Sequence, residues 1–208
     1  MITIAEVADR VGAYLHRQTD NKYDLKKICY GVEVCLVFTL SFLIMVLMGS
    51  LLGTFEETIL VVLASFIMKS FTGGPHLSGY FRCVSLSSLI IVCCSYAASK
   101  SELWLTDPLL FLIGLNGILI LMFYLPNREN FSLIDSQQAY IRKNISLVLF
   151  IAVWLMTVLM KTIFFYSILL GFLIPIVIIT PIGKRLVCLV EKYTKRRWLS
   201  WKNFYFYC

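Results

Sequence analysis

An all-α fold, a polytopic membrane helix bundle of about six transmembrane helices behind an N-terminal amphipathic helix, is what this sequence predicts. Three observations carry the prediction: an excess of apolar residues, their gathering into six runs, and the confinement of positive charge to alternate connections. Of 208 residues, 59% are hydrophobic and 15% charged, and the mean hydropathy is +0.81. Soluble domains are about 45–50% apolar and about 25% charged. A chain of this size cannot bury such an excess in one core and still present a polar skin to water.

The elements follow in order. Thr3 and Glu6 have the spacing of a capping box. Behind them Ile4, Ala8, Val11 and Leu15 recur at helical spacing, with Asp9, Arg10 and Arg17 opposite. This is the pattern of an amphipathic helix lying on the bilayer or on the protein's own surface. Being charged and amphipathic, residues 1–27 do not read as a cleavable signal peptide. The apolar runs are 28–48, 55–69, 83–98, 108–125, 145–160 and 162–180. The first, fourth and sixth approach the roughly 20 residues that cross about 30 Å of hydrocarbon. The others are shorter and need shelter from protein or snorkelling flanks. The third is rich in Ser and Ala and so suits close packing against other helices.

Charge sets the expected orientation. With the N-terminus inside, the inner segments 1–27, 69–82, 126–144 and 181–208 hold all 19 lysines and arginines except Lys100 and Lys161. The positive-inside tendency favours this arrangement strongly. The expected organisation is one integral membrane domain over 1–208: a cytoplasmic amphipathic segment (1–27), a six-span bundle (28–180) and a basic, aromatic cytoplasmic tail (181–208). The run from Lys192 to Trp198 reads as a juxtamembrane segment on anionic lipid headgroups. The net charge of +7 is thus a topology signal, and nucleic acid is not an expected partner.

The seven cysteines show no CxxC pair and no regular spacing, which argues against a disulfide framework. Cys93 and Cys94 lie mid-span without a nearby base and read as packing residues. His16 is expected on the surface of the first helix. Glu33, an isolated carboxylate in the first span, is expected to face protein or water.

One stretch departs from the pattern. Between Lys69 and Cys83 lie Gly73, Gly74, Pro75, His76, Gly79 and Arg82. Three glycines and a proline within seven residues break any helix. A catalytic cysteine needs a base, which His76 supplies, and surroundings that favour the anion. Arg82, Lys69 and a helix starting near Cys83 provide those. In an unbroken helix residues seven apart sit about 10.5 Å apart along the axis. Proton transfer needs roughly 3 Å or one bridging water. A working dyad of Cys83 and His76 therefore requires a bend, for which Gly79 offers a place. Gly73 and Gly74 can aim bare amides at an oxyanion. Neither a cofactor nor a metal is needed. The competing reading is a small transporter or peptide export permease using 70–83 as a re-entrant binding loop. That would need polar lining through the bilayer, and beyond Glu33, Asn116 and some serines the spans supply little.

Gly73-Gly74-Pro75-His76, six residues and then Cys83 resembles the signature of the accessory gene regulator B family. These are bacterial membrane cysteine endopeptidases that process precursors of cyclic quorum-sensing peptides. The size, Lys69 ahead of the glycines, Pro126 followed by Asn127-Arg128, and Ile174-Pro175 with Thr180-Pro181-Ile182-Gly183-Lys184 are similar too. Family members commonly carry Arg where Lys69 stands, and Pro75 is an unusual filling before the histidine. The resemblance implies Cys83 as nucleophile and His76 as base. It also implies a precursor peptide like accessory gene regulator D as partner, a second copy of the chain in a homodimer, and residence in the bacterial cell membrane. Lys69 and Arg82 are then expected to hold acidic groups of the precursor.

The charge split generates a test of topology. Single cysteines placed in a chain stripped of native ones should react with an impermeant maleimide on intact cells within 99–107. They should stay unlabelled in 126–144, and the reverse pattern overturns the orientation.

Overall fold

A computed structural model describes the chain at residues 4–18, 24–73, 80–101, 106–125 and 136–195. Among these residues it is all helical: α1 (Ile4–Gln18), α2 (Leu25–Leu51), α3 (Phe55–Thr72), α4 (Tyr80–Ser99), α5 (Asp107–Tyr124), α6 (Ser136–Met160), α7 (Ile163–Ile178) and α8 (Pro181–Lys195). Each of the six apolar runs folds as one helix, α2 through α7. α2, α5 and α6 are each long and apolar enough to cross a membrane, and α7 with α8 passes the same test as a pair bent by 77°. The chain thus fits a multi-pass membrane protein with, among the described residues, three candidate crossings, or four if the bent pair is one span, and not the full six that the apolar runs suggest. α3 falls outside this set because Glu56, Glu57 and Lys69 bracket it. Its uncharged stretch from Thr58 to Met68 covers only about 16 Å.

The chain divides within α2 into two compact units, Met1–Met45 and Val46–Cys208. In the first, Asp24 starts α2 by accepting from the Lys26 amide at 3.0 Å. α1 meets α2 where Gly12 faces Cys29; a Cβ at Gly12 would lie 2.5 Å from the Cys29 sulfur. Ala8, Gly12 and His16 recur every four residues on this face. That is why His16 is half-buried and not on the open surface the sequence suggests. Glu33, one turn beyond Cys29, is also half-buried. The Thr3 half of the expected capping box lies outside the described residues.

In the second unit α3 and α7 form the most extensive contact, with α4 packed on both and α5 and α6 closing the other side. Lipid chains are as apolar as leucine, so helices associate there through close packing and hydrogen bonds. At Gly171 the α7 backbone comes so near α3 that an added Cβ would lie 2.6 Å from Ala64 Cβ and 2.8 Å from the Val61 carbonyl oxygen. The Ser65 hydroxyl donates to the Gly171 carbonyl at 2.8 Å. Met68, Leu169, Phe172 and Ile176 continue the seam. The Ser- and Ala-rich α4 packs into the bundle as expected, burying Ser88, Ile91, Val92, Ser95 and Ala98.

α5 and α6 join by a different device. Gly114 and Gly117 leave room for the rings of Trp154 and Phe150. Trp154 Nε1 donates to the Leu110 carbonyl at 3.0 Å, and Trp154 meets Phe111 with ring centroids 6.0 Å apart. At one end Lys143 Nζ donates to the Met122 carbonyl at 2.8 Å, meeting the negative end of the α5 dipole. At the other, Lys161 pairs with Asp107 at 2.7 Å. The hydrogen bond and charge of Asp107 raise the Lys161 ammonium above its ordinary value. Lys161 takes a left-handed φ of 49° to end α6.

If backbone proximity at Gly171 holds the second unit together, Gly171→Ala should cost about 1–3 kcal/mol through overpacking. Ser65→Ala should cost only about 0.6 kcal/mol, a typical interhelical hydrogen bond in a membrane. Unfolding titrations in mixed detergent micelles rank the two, and a larger loss from Ser65→Ala contradicts this account.

Candidate active site

α3 stops where the sequence requires it to. Thr72 is fully buried, and its hydroxyl donates to the Met68 carbonyl at 3.1 Å. Gly73 follows with φ 64° and ψ −151°, a region essentially reserved for glycine. Its amide closes the helix onto the Lys69 carbonyl at 2.9 Å. The left-handed turn ends the chain's run along the α3 axis one residue before Gly74.

The next helix, α4, starts at Tyr80, between Gly79 and the cysteine as the bend required. Cys83 is its fourth residue and is half-buried. It stands in the first turn, where four backbone N–H groups have no partner within the helix and the dipole is positive. Arg82 belongs to the same turn. Lys69 sits in the last turn of α3, half-buried. α3 and α4 pack on each other, so the end of one and the start of the other lie at the same end of the bundle. Lys69 and Gly73 therefore stand on the α3 side of the helix break, and Arg82 and Cys83 on its α4 side. His76, Gly74 and Gly79 lie outside the described residues.

The remaining cysteines contrast with this placement. Cys93 and Cys94 are on the same helix, about 15 Å further along its axis, with Cys93 exposed and Cys94 half-buried. Cys35 and Cys188 are exposed and Cys29 is half-buried. Among the described residues none of the cysteines is in a disulfide, and no group of three or more His, Cys, Asp or Glu converges as a metal site would require. Thr72 is a functional contributor that the motif spacing does not single out. Its signal was a hydroxyl residue directly ahead of a glycine pair, and its part is to fix where the break begins.

Comparison with known proteins points one way. The family described as accessory gene regulator B matches residues 7–180. A curated relative, a putative AgrB-like protein of Halalkalibacterium halodurans, is 24% identical over 189 residues, covering 90% of each chain. No solved structure matches the chain.

The Gly73 geometry yields a direct test. Gly73→Ala should lower the unfolding free energy by about 1–3 kcal/mol, because a Cβ is forced into a glycine-only region. Gly31→Ala, within α2 with open space around it, should be neutral or gain up to about 1 kcal/mol. Chemical unfolding of both variants in detergent measures the difference, and equal effects would refute the strained cap.

Proposed function

The chain belongs to the accessory gene regulator B family, and from that premise we propose that it is a cysteine endopeptidase acting on a small precursor peptide. Membership supports a role in the agr quorum-sensing system and association with an AgrD-like precursor. The observation that carries the finer reading is the helix break itself. Cys83 stands in the first turn of α4, beyond a glycine-capped stop in α3, and that interruption of the helix between α3 and α4 supports the dyad reading.

His76 takes the Cys83 thiol proton, and the sulfur attacks a backbone carbonyl near the C-terminal end of the precursor. Amides of Gly74 and Gly79 receive the developing oxyanion; the Gly73 amide, expected to share this role, is instead taken up by the Lys69 carbonyl. As the tetrahedral adduct collapses, the C–N bond breaks and His76 returns the proton to the leaving amine. The precursor's N-terminal part remains on Cys83 as a thioester. A nucleophilic side chain of that same peptide then attacks the thioester carbonyl, releases Cys83 and closes a thiolactone or lactone ring. Exchange of one thioester for another conserves the activated bond, whereas a thiolactone made from a free acid would be steeply uphill. Shelter from water lets cyclisation outrun hydrolysis, and the flanking helices α3, α4 and α7 are the walls available to give it. Lys69 and Arg82 hold carboxylates of the precursor at the cytoplasmic face of the membrane.

Purified protein in detergent, mixed with a cognate precursor, tests this directly. Cleavage and a mass increment on Cys83 are expected, and a transporter, which needs two compartments, gives neither. Cys83→Ala and His76→Ala should each abolish cleavage, with the double variant scarcely worse than either. Cys93→Ala and Cys94→Ala should stay near wild type. Turnover by Cys83→Ala at the wild-type rate ends the proposal.

A further inference from the structure

The junction between α7 and α8 is a built corner. α7 carries no charged residue, and the helix after it departs at 77°. Thr180 holds the turn from both sides: its hydroxyl donates to the Val177 carbonyl at 2.7 Å and accepts from the Gly183 amide at 3.1 Å. That second bond is a helix N-cap, and Pro181 at the first helical position has no amide to satisfy. Gly183 lets the two segments touch, because a Cβ there would lie 2.7 Å from Ile178 Cα. With α7 taken as the crossing part of the bent pair, a helix that departs from its end at 77° runs nearly along the membrane surface.

Its side chains are sorted to match. Ile182, Leu186 and Leu189 form one stripe at i, i+4 and i+7 and are 71%, 55% and 48% exposed. Gly183 on the neighbouring face is buried against α7. Lys184, Arg185 and Lys192 occupy the remaining arc, with Glu191 as the acidic residue of the helix, and the sequence continues Lys195-Arg196-Arg197. The surplus of positive charge matches an anionic surface. It does not suit a second copy of the same helix, which would bring like charges together. A stripe of three residues also falls far short of the roughly 800 Å² per partner that a stable protein interface buries.

We propose that α8 is an in-plane membrane anchor, with Ile182, Leu186 and Leu189 set between acyl chains and Lys184, Arg185 and Lys192 on anionic headgroups. The partner is the bilayer itself, and the inference is independent of the peptidase reading. Interfacial helices bind through buried apolar area plus attraction to anionic lipid, and each cation near such a surface strengthens binding about fivefold.

The test uses the full chain with its seven native cysteines replaced by serine and one dye attached, after Leu186→Cys or Lys192→Cys. The protein is reconstituted in phosphatidylcholine vesicles with or without phosphatidylglycerol. The dye at 186 should be quenched by lipids brominated near the headgroup and resist aqueous iodide, while the dye at 192 shows the reverse. Phosphatidylglycerol should deepen the contrast, and Lys184→Gln with Arg185→Gln should shift position 186 toward iodide exposure by about tenfold or more. Equal iodide access at both positions overturns the proposal by placing α8 in water. Shielding of 186 from both quenchers, whatever the lipid, overturns it in favour of a protein partner. Should the cysteine-free chain fail to reconstitute, hydrogen exchange of the native protein in nanodiscs decides. Slower exchange over 182–190 with phosphatidylglycerol supports the anchor, and unchanged exchange rejects it.

Discussion

Everything in the second unit depends on how closely two helix backbones can approach in a solvent that gives them no hydrophobic reason to meet. In hydrocarbon the gain comes from dispersion and from hydrogen bonds, and both grow as backbones close in. Gly171 is the residue that permits the approach, and Ser65 takes up the carbonyl exposed by it. Because α3 is seated there, its last turn at Met68–Thr72 is seated too. The position of the helix break, and of the first turn of α4, follows from that seam.

The proposed chemistry owes little to any unusual property of a cysteine side chain and much to its place. α4 contains three cysteines, and two of them stand deep in the helix with every neighbouring amide already bonded. Cys83 alone of the three occupies the turn whose amides lack intrahelical partners. The proposed chemistry draws on the break because an intact helix would deny a base and peptide backbone access to the sulfur. Thr72 and Gly73 thus serve the site without touching a substrate, by determining where regular structure stops.

The sequence made the fold class and the break legible for good physical reasons. Hydropathy reports which segments can live in hydrocarbon, and each of the six apolar runs is a helix. Gly-Gly-Pro cannot continue one, and α3 ends three residues after its apolar run and α4 begins three residues before its own. Hydropathy is blind to helix that extends beyond the lipid. α6 therefore begins at Ser136 and not at 145, its polar first turns being invisible to an apolar count. α8 was missed for the same reason. Its signal is an amphipathic period, Ile182, Leu186 and Leu189 against Lys184, Arg185 and Lys192, inside a tail that reads as merely basic. Charged ends also make α3 shorter in its apolar part than its helix, which separates a count of runs from a count of crossings. The pairing of Gly171 with Ala64 and Ser65 had no reading in one dimension, since 106 residues separate Ser65 from its acceptor.

The two lysine ties between α5 and α6 have a mechanical consequence. Lys143 and Lys161 stand 18 residues apart, about 27 Å along the axis, close to the roughly 30 Å of a hydrocarbon layer. Each grips the opposite end of α5, one at the Met122 carbonyl and one at Asp107. Sliding one helix past the other would break both grips at once. In a bilayer thinner than this gauge, the pair must lean as a single strut, carrying with it the α7 surface on which it rests, whereas a thicker bilayer must itself thin around the pair. Lipid chain length thereby becomes a control on the tilt of the bundle, at a cost of fractions of a kcal/mol per Å of mismatch.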